Sequence, residues 1–172
     1  MYGLPAQTEE SILKTMDIAV SLKPARIAYF GYAHVPWMKR HMNLMPQERI
    51  PGPKDRYVLQ DSGARFLEHA GYTPIGIDHY ALPGDALCHA LESGTLHRNF
   101  QGYSTQPDCD LIGLGLSAIG KVGTHYCQNA KTLAEYQDAL AQGQLPIVRG
   151  LALGREDVMR RSLIMAIMCQ GE

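Results

Sequence analysis

Residues 26–37 read Arg26-Ile27-Ala28-Tyr29-Phe30-Gly31-Tyr32-Ala33-His34-Val35-Pro36-Trp37, and the reading of this stretch decides the fold class. It begins as a continuous apolar run, Ile27 to Phe30, and ends as a mixed segment of aromatic, imidazole and proline residues. A short apolar run bounded by turn signals predicts a strand buried on both faces, as in a parallel sheet. Gly31 permits a bend or the close approach of a ligand. Pro36 cannot donate to a ladder, so the strand is over by then. A buried parallel strand opening into a polar, aromatic mouth is how α/β barrels present ligands, at the carboxyl ends of their strands.

Working outward, Thr8 is a good N-cap. Ile12, Met16 and Val20, with Leu13, then recur at helical spacing and predict a helix to about Leu22. Lys23-Pro24 ends it. This makes an αβ unit whose preceding strand is cut short at residue 1. Residues 38–53, with prolines at 46, 51 and 53, read as a long irregular loop containing at most a helical turn. A second helix is predicted over 54–70, apolar through Val58, Phe66, Leu67 and Ala70, with Gly71 as its C′ residue. Residues 72–80 predict a single strand ending in Asp78-His79-Tyr80, and 83–93 a helix stopped by Gly94.

The second half is less periodic. Residues 96–106, LHRNFQGYSTQ, are polar, aromatic and loop-like. Residues 111–119, LIGLGLSAI, predict a strand with Gly113, Gly115 and Ser117 on one face, where a flat ligand or another backbone could approach closely. A helix over 132–142 should pack through Leu133, Tyr136 and Leu140, and 147–153 predicts one more strand. The closing segment, REDVMRRSLIMAIMCQGE, is a helix that grows more apolar towards its end and has no evident partner in the chain. Both ends thus read as cuts through a larger protein. The expected division is 1–154 and 155–172.

Composition narrows the function classes. The chain has 172 residues, 45% hydrophobic, enough for a sizeable core, with a net charge of −1 from 16 basic and 17 acidic residues. There is no basic run to hold nucleic acid, no stretch near the ~20 apolar residues that span a bilayer, and no signal-peptide pattern. A cytoplasmic protein is expected. Cys88, Cys109, Cys127 and Cys169 are far apart in sequence, which excludes a local zinc ribbon or iron–sulfur loop. They read as reduced, mostly buried thiols.

Two motifs carry chemistry. Tyr32-Ala33-His34-Val35-Pro36-Trp37 closes the first strand. His97-Arg98-Asn99-Phe100-Gln101-Gly102-Tyr103 gathers donors, an amide, two aromatics and a glycine within seven residues. Such a mixture suits a flat, apolar ligand bearing carboxylates. The aromatics offer ring faces, and Arg98, helped by His97, could clamp a carboxylate at two points. Asp78-His79 could serve as an acid/base pair, and a structural hydrogen bond accounts for it equally well.

These motifs, together with Met1-Tyr2-Gly3-Leu4-Pro5 and Gly113-Leu114-Gly115-Leu116-Ser117-Ala118-Ile119, occur in the order of one family. The chain resembles the oxygen-independent coproporphyrinogen III oxidases, radical S-adenosylmethionine (SAM) enzymes of haem biosynthesis. The resemblance covers essentially the whole chain. It implies an α/β fold, the later portion of a partial TIM-like (β/α)6 barrel with extra strands, truncated at both ends. It implies that Ala33, Ile119 and Phe30 line a SAM pocket, and that Phe100 and Gln101 lie in the active site near a second SAM. It implies coproporphyrinogen III as substrate, with two propionates decarboxylated to vinyls to give protoporphyrinogen IX.

Such enzymes hold a [4Fe–4S] cluster on a C-x3-C-x2-C loop, and this sequence has none. No metal ligands are therefore expected in this chain, which alone should be inactive. It is expected to depend on the remainder of a parent chain or to self-associate through cut sheet edges. The alternative is a non-catalytic tetrapyrrole-binding module, related to the haem chaperones of the same superfamily.

Overall fold

The computed structural model describes residues 1–106 and 109–171. The chain divides into two units, Met1–Gly94 and Thr95–Glu172. Five α-helices and eight strands alternate along the described residues, giving an α/β fold. The strands form three small sheets, and every named pairing is antiparallel.

In the first unit, α1 spans Glu9–Ser21 and is capped as the sequence predicts. Thr8 Oγ1 accepts from the Ser11 amide, and Ser11 Oγ accepts from the Thr8 amide. β1 follows at Arg26–Ala28, shorter than the apolar run that suggested it. It is not buried on both faces, since Arg26 and Ala28 are exposed and Ile27 is half-buried; it lies at the edge of a sheet ordered β1-β3-β2, where β2 is Thr73–Ile75 and β3 is His79–Ala81. The expected parallel partner survives as one bridge. The Tyr2 amide donates to the Phe30 carbonyl and the Tyr32 amide to the Tyr2 carbonyl, so the chain before α1 runs parallel to the chain after β1.

The single strand expected over 72–80 is instead the β2–β3 hairpin. Gly76, at a φ of 58°, breaks the run and turns it back. Pro74 is tolerated because β2 is the other edge. Residues 38–53 contain two short 3-10 turns, Arg40–Leu44 and Gln47–Arg49. α2, Pro53–His69, starts with proline at its first position, where the missing amide costs nothing. α3 is Ala86–Glu92, with the Asp85 carboxylate accepting from the Leu87 amide.

The core of this unit is Ile12 and Met16 of α1, Leu59 and Leu67 of α2, and Tyr29, Tyr72 and Tyr80. The buried line of α2 runs Leu59, Gly63, Leu67, one position round from the expected face, and Val58 is exposed. Gly63 sets that rotation. The Tyr29 ring lies against it, where a Cβ would collide, and the phenol reaches past to donate to the Leu59 carbonyl at 2.6 Å. A buried hydroxyl without such an acceptor would be costly.

In the second unit, β4 (His97–Asn99) and β5 (Gly102–Ser104) form a hairpin from the segment that reads as loop. Phe100 and Gln101 are its turn, and Gly102 carries the positive φ of 134° that turns the chain. A three-stranded meander follows, with β6 at Ile119–Val122, β7 at His125–Asn129 and β8 at Ile147–Ala152. α4 is Leu133–Ala141 and α5 is Arg155–Gln170.

The strand expected over 111–119 is not one. Leu111 makes a single bridge to Lys121, and the chain then turns through Gly115 and Ser117, both at positive φ. Two of the glycines here accommodate backbone. A Cβ on Gly120 would press on the Leu111 carbonyl oxygen at 2.8 Å, and one on Gly113 would press on the backbone carbons of Ala118 and Ile119. Asn129, itself buried, pins this loop by donating to the Gly113 and Gly115 carbonyls, each at 3.0 Å.

The expected packing of α4 is also corrected. Leu133 and Leu140 are exposed, and only Tyr136 of the three is half-buried, its phenol oxygen accepting from the Gly115 amide at 3.2 Å. The cysteines are less uniformly buried than expected. Cys88 and Cys169 are buried, Cys127 is half-buried and Cys109 is exposed.

Candidate functional site

The carboxyl end of β1 behaves as the sequence suggests in one respect, since regular pairing stops and side chains of mixed chemistry take over. Tyr32 is buried, while Phe30 and Ala33 on either side of it face solvent. The Tyr32 phenol donates to Met45 Sδ at 3.0 Å and lies 3.2 Å from His34 Nδ1. His34 Nε2 is buried and, among the described residues, meets no hydrogen-bond partner. Met42 Sδ accepts from the Val35 amide, so two methionines of the irregular loop fix this segment. Asp78 and His79 form a hydrogen-bonded pair at 2.7 Å, Oδ1 to Nδ1, within the β2–β3 hairpin.

The second unit holds a cavity of about 680 Å3, within the size range of small-molecule sites. His97, Arg98 and Phe100 of the hairpin line it, as do Lys121 of β6 and Tyr126 of β7. The face of α5 carrying Arg161, Ile164, Met165 and Met168 closes it. These α5 positions follow the spacing of a single helix face. The wall is thus apolar, with a cationic set from three different elements. Among the described residues two carboxylates also line the cavity, and both are engaged by backbone amides. Asp110 accepts from Gly123 at 2.7 Å and Asp157 from Gly154 at 2.9 Å.

Ring contacts organise the cationic groups. Arg98 stacks over the Tyr103 ring, 4.5 Å from its centroid, and the Tyr103 phenol donates to the Met168 carbonyl. Phe100 meets Tyr126 edge-on at 5.3 Å, and the Tyr126 phenol accepts from Arg161 Nε at 2.9 Å. Burial pushes the Cys169 thiol up, with Arg98 opposing, so this sulfur is protonated and inert at neutral pH.

The residues selected from sequence divide as follows. His97, Arg98 and Phe100 come together at the cavity. Gln101 sits exposed at the hairpin turn, its amide held by Asn99 Oδ1. Ile119, half-buried, begins β6 and does not line the cavity. Phe30 and Ala33 belong to the first unit. Sequence reasoning missed Lys121, Tyr126 and Arg161. The Arg161/Ile164-Met165/Met168 spacing was the available signal for the last of these. The cysteines do not fit an iron–sulfur cluster, since among the described residues no three His, Cys, Asp or Glu side chains group to hold a metal ion. No helix among them is long and apolar enough to cross a membrane.

Comparison with known proteins shows first the class of enzyme that the chain resembles. No family model matches it. Its fold superposes on a solved radical SAM enzyme, coproporphyrinogen III oxidase (HemN) from Escherichia coli, with a TM-score of 0.90 and 40% identity over 98% of this chain and 39% of that one. More particularly, the chain matches oxygen-independent coproporphyrinogen III oxidases. It is 45% identical to that of Helicobacter pylori strain J99 over 98% of its own length, and 44% identical to that of Pseudomonas aeruginosa over all of it. The chain spans 37% of the length of each of these two relatives.

Proposed function

We propose that this chain is part of an oxygen-independent coproporphyrinogen III oxidase, a SAM-dependent oxidoreductase that converts two propionates of coproporphyrinogen III to vinyls. The observation that carries this reading is identity of 40–45% along nearly the whole chain to proteins of that name. In this reading the chain is the later portion of a partial (β/α)6 barrel over 1–154, and 155–172 begins a helical region. Ala33, Ile119 and Phe30 line a SAM pocket, and Phe100 and Gln101 lie near a second SAM. The cluster ligands come from another part of the parent chain, so this chain alone has no activity. The protein is cytoplasmic, and the 172 residues in isolation associate through sheet edges.

The cavity chemistry supports the substrate assignment. A macrocycle with four propionates needs apolar walls and spaced cations, and the second unit offers both. Arg98 and His97 meet a propionate there, with the Tyr103 ring holding the guanidinium plane.

The test is to read the source gene across both ends of this frame. An in-frame C-x3-C-x2-C segment upstream is the expected result. The intact protein should then form protoporphyrinogen IX anaerobically with SAM, and Phe100→Ala should abolish most of that activity. A start at Met1 and a stop after Glu172 with no such segment would overturn the enzyme reading in favour of a tetrapyrrole-binding module.

A further inference from the structure

We propose that α5 takes part in the ligand site, with Arg161 as a second carboxylate anchor for the tetracarboxylate macrocycle and Tyr126 as its positioning residue. This rests on the substrate assignment above and extends it to a helix outside the recognised motifs.

The argument is geometric. Arg160 and Arg161 both line the cavity, but their partners differ. Arg160 pairs with Glu156 one turn back, at 2.5 Å along the helix. Arg161 instead reaches Tyr126 of β7, which accepts from its Nε. The Tyr126 ring is itself held edge-on by Phe100. Phe100, Tyr126 and Arg161 therefore form one connected array on the cavity wall. From Arg161 the same face of α5 continues as Ile164, Met165 and Met168, all lining the cavity. A guanidinium at one end of an apolar helical strip matches a carboxylate at the end of an apolar ring system. Arg98 provides a separate guanidinium on β4, so the cavity offers two anchors for a ligand whose carboxylates are spaced around its rim. An Nε already hydrogen-bonded to a phenol fixes the guanidinium plane, which reduces the ordering cost of a two-point contact.

The probe is coproporphyrin III, the fluorescent oxidised form with four free carboxylates, compared with its uncharged tetramethyl ester. Each is titrated into the 172-residue chain. The free acid should bind at least tenfold more tightly than the ester. Arg161→Gln should weaken the acid about tenfold or more, as for loss of a charge-assisted hydrogen bond, and leave the ester unchanged. Tyr126→Phe should weaken the acid only a few-fold, because charge remains and only orientation is lost. Circular dichroism and melting of each variant separate these effects from misfolding. Equal acid binding by Arg161→Gln, equal binding of acid and ester, or no binding of either by the unaltered chain would each overturn the anchor. None of these results touches the family reading, which fails only on the gene-level test above.

Discussion

The two units differ in what their helices do with apolar residues. In the first, α1 and α2 pack on a shared core: Ile12, Leu67 and Ile75 are fully enclosed and three tyrosines complete it, although Leu22, Trp37 and Leu44 of that unit are exposed. The second leaves most of its apolar helix and strand residues on display. Every residue of β8 is exposed, Leu163, Ile164 and Ile167 of α5 are exposed, and α4 buries nothing. What is enclosed there is a cavity wall, not a packed core. The difference teaches that the packed core and the lined cavity are carried by separate stretches of this chain. A face left apolar in isolation is one that another surface or a ligand can cover.

The largest expected effect breaks or keeps this contrast directly. Leu67→Ala removes a fully buried side chain and should cost about 3 kcal/mol, by lost transfer energy and a residual cavity. Leu163→Ala, at a residue 61% exposed, should change stability by no more than about 0.5 kcal/mol. Urea unfolding of both variants at two protein concentrations checks this. A cost for Leu163→Ala that grows with protein concentration would mean that association buries α5 and that the exposed face is an interface.

The contrast also explains what was legible in the sequence. Helices were readable because capping and period-3.6 patterning are local. Thr8, Asp85 and Thr132 each cap the helix that follows. Strands were less so. The run at 26–30 reads as buried from composition, but burial depends on a neighbour, and β1 turned out to be an edge. LIGLGLSAI alternates like a strand, yet two positive φ values fold it on itself, and sequence alternation carries no information on φ. The hairpin motif was singled out for its chemistry, and its backbone is a hairpin where the sequence reads as loop. The α5 wall was missed because an apolar helix end reads as a missing partner before it reads as a site.

A smaller effect sharpens the first unit's side of the comparison through pH. The Arg26 guanidinium hydrogen-bonded to Asp85 holds its carboxyl below the ordinary 3.8, aided by the Leu87 amide. A carboxyl lowered by folding stabilises the folded state above its unfolded value and loses that contribution as pH falls below it. Asp85 is mostly enclosed but Arg26 is half-exposed, so screening limits the ion pair and the whole is about 1 kcal/mol. Asp85→Asn keeps an acceptor for the cap and removes the charge. Its stability should fall short of the unaltered chain at pH 6, and the gap should close as pH falls through the lowered Asp85 pKa. Equal stability throughout would show that the cap, which Asp85→Asn retains, and not the ion pair, carries the effect.

The smallest effect compares the same device in both units. Thr8 caps α1 and Thr132 caps α4, each with a hydroxyl accepting an N3 amide. Loss of either cap should cost about 0.5–1 kcal/mol. The consequence should differ. α1 buries Ile12 and Met16 in the core, so Thr8→Ala should lower the global unfolding transition. α4 has nine residues and no buried one, too short to be stable by its own propensity. Thr132→Ala should therefore leave the global transition nearly unmoved and speed amide exchange across Leu133–Ala141 several-fold by local opening. If Thr132→Ala instead lowers the global transition as much as Thr8→Ala, α4 unfolds together with the core. The division of labour between the units would then fail at its weakest helix.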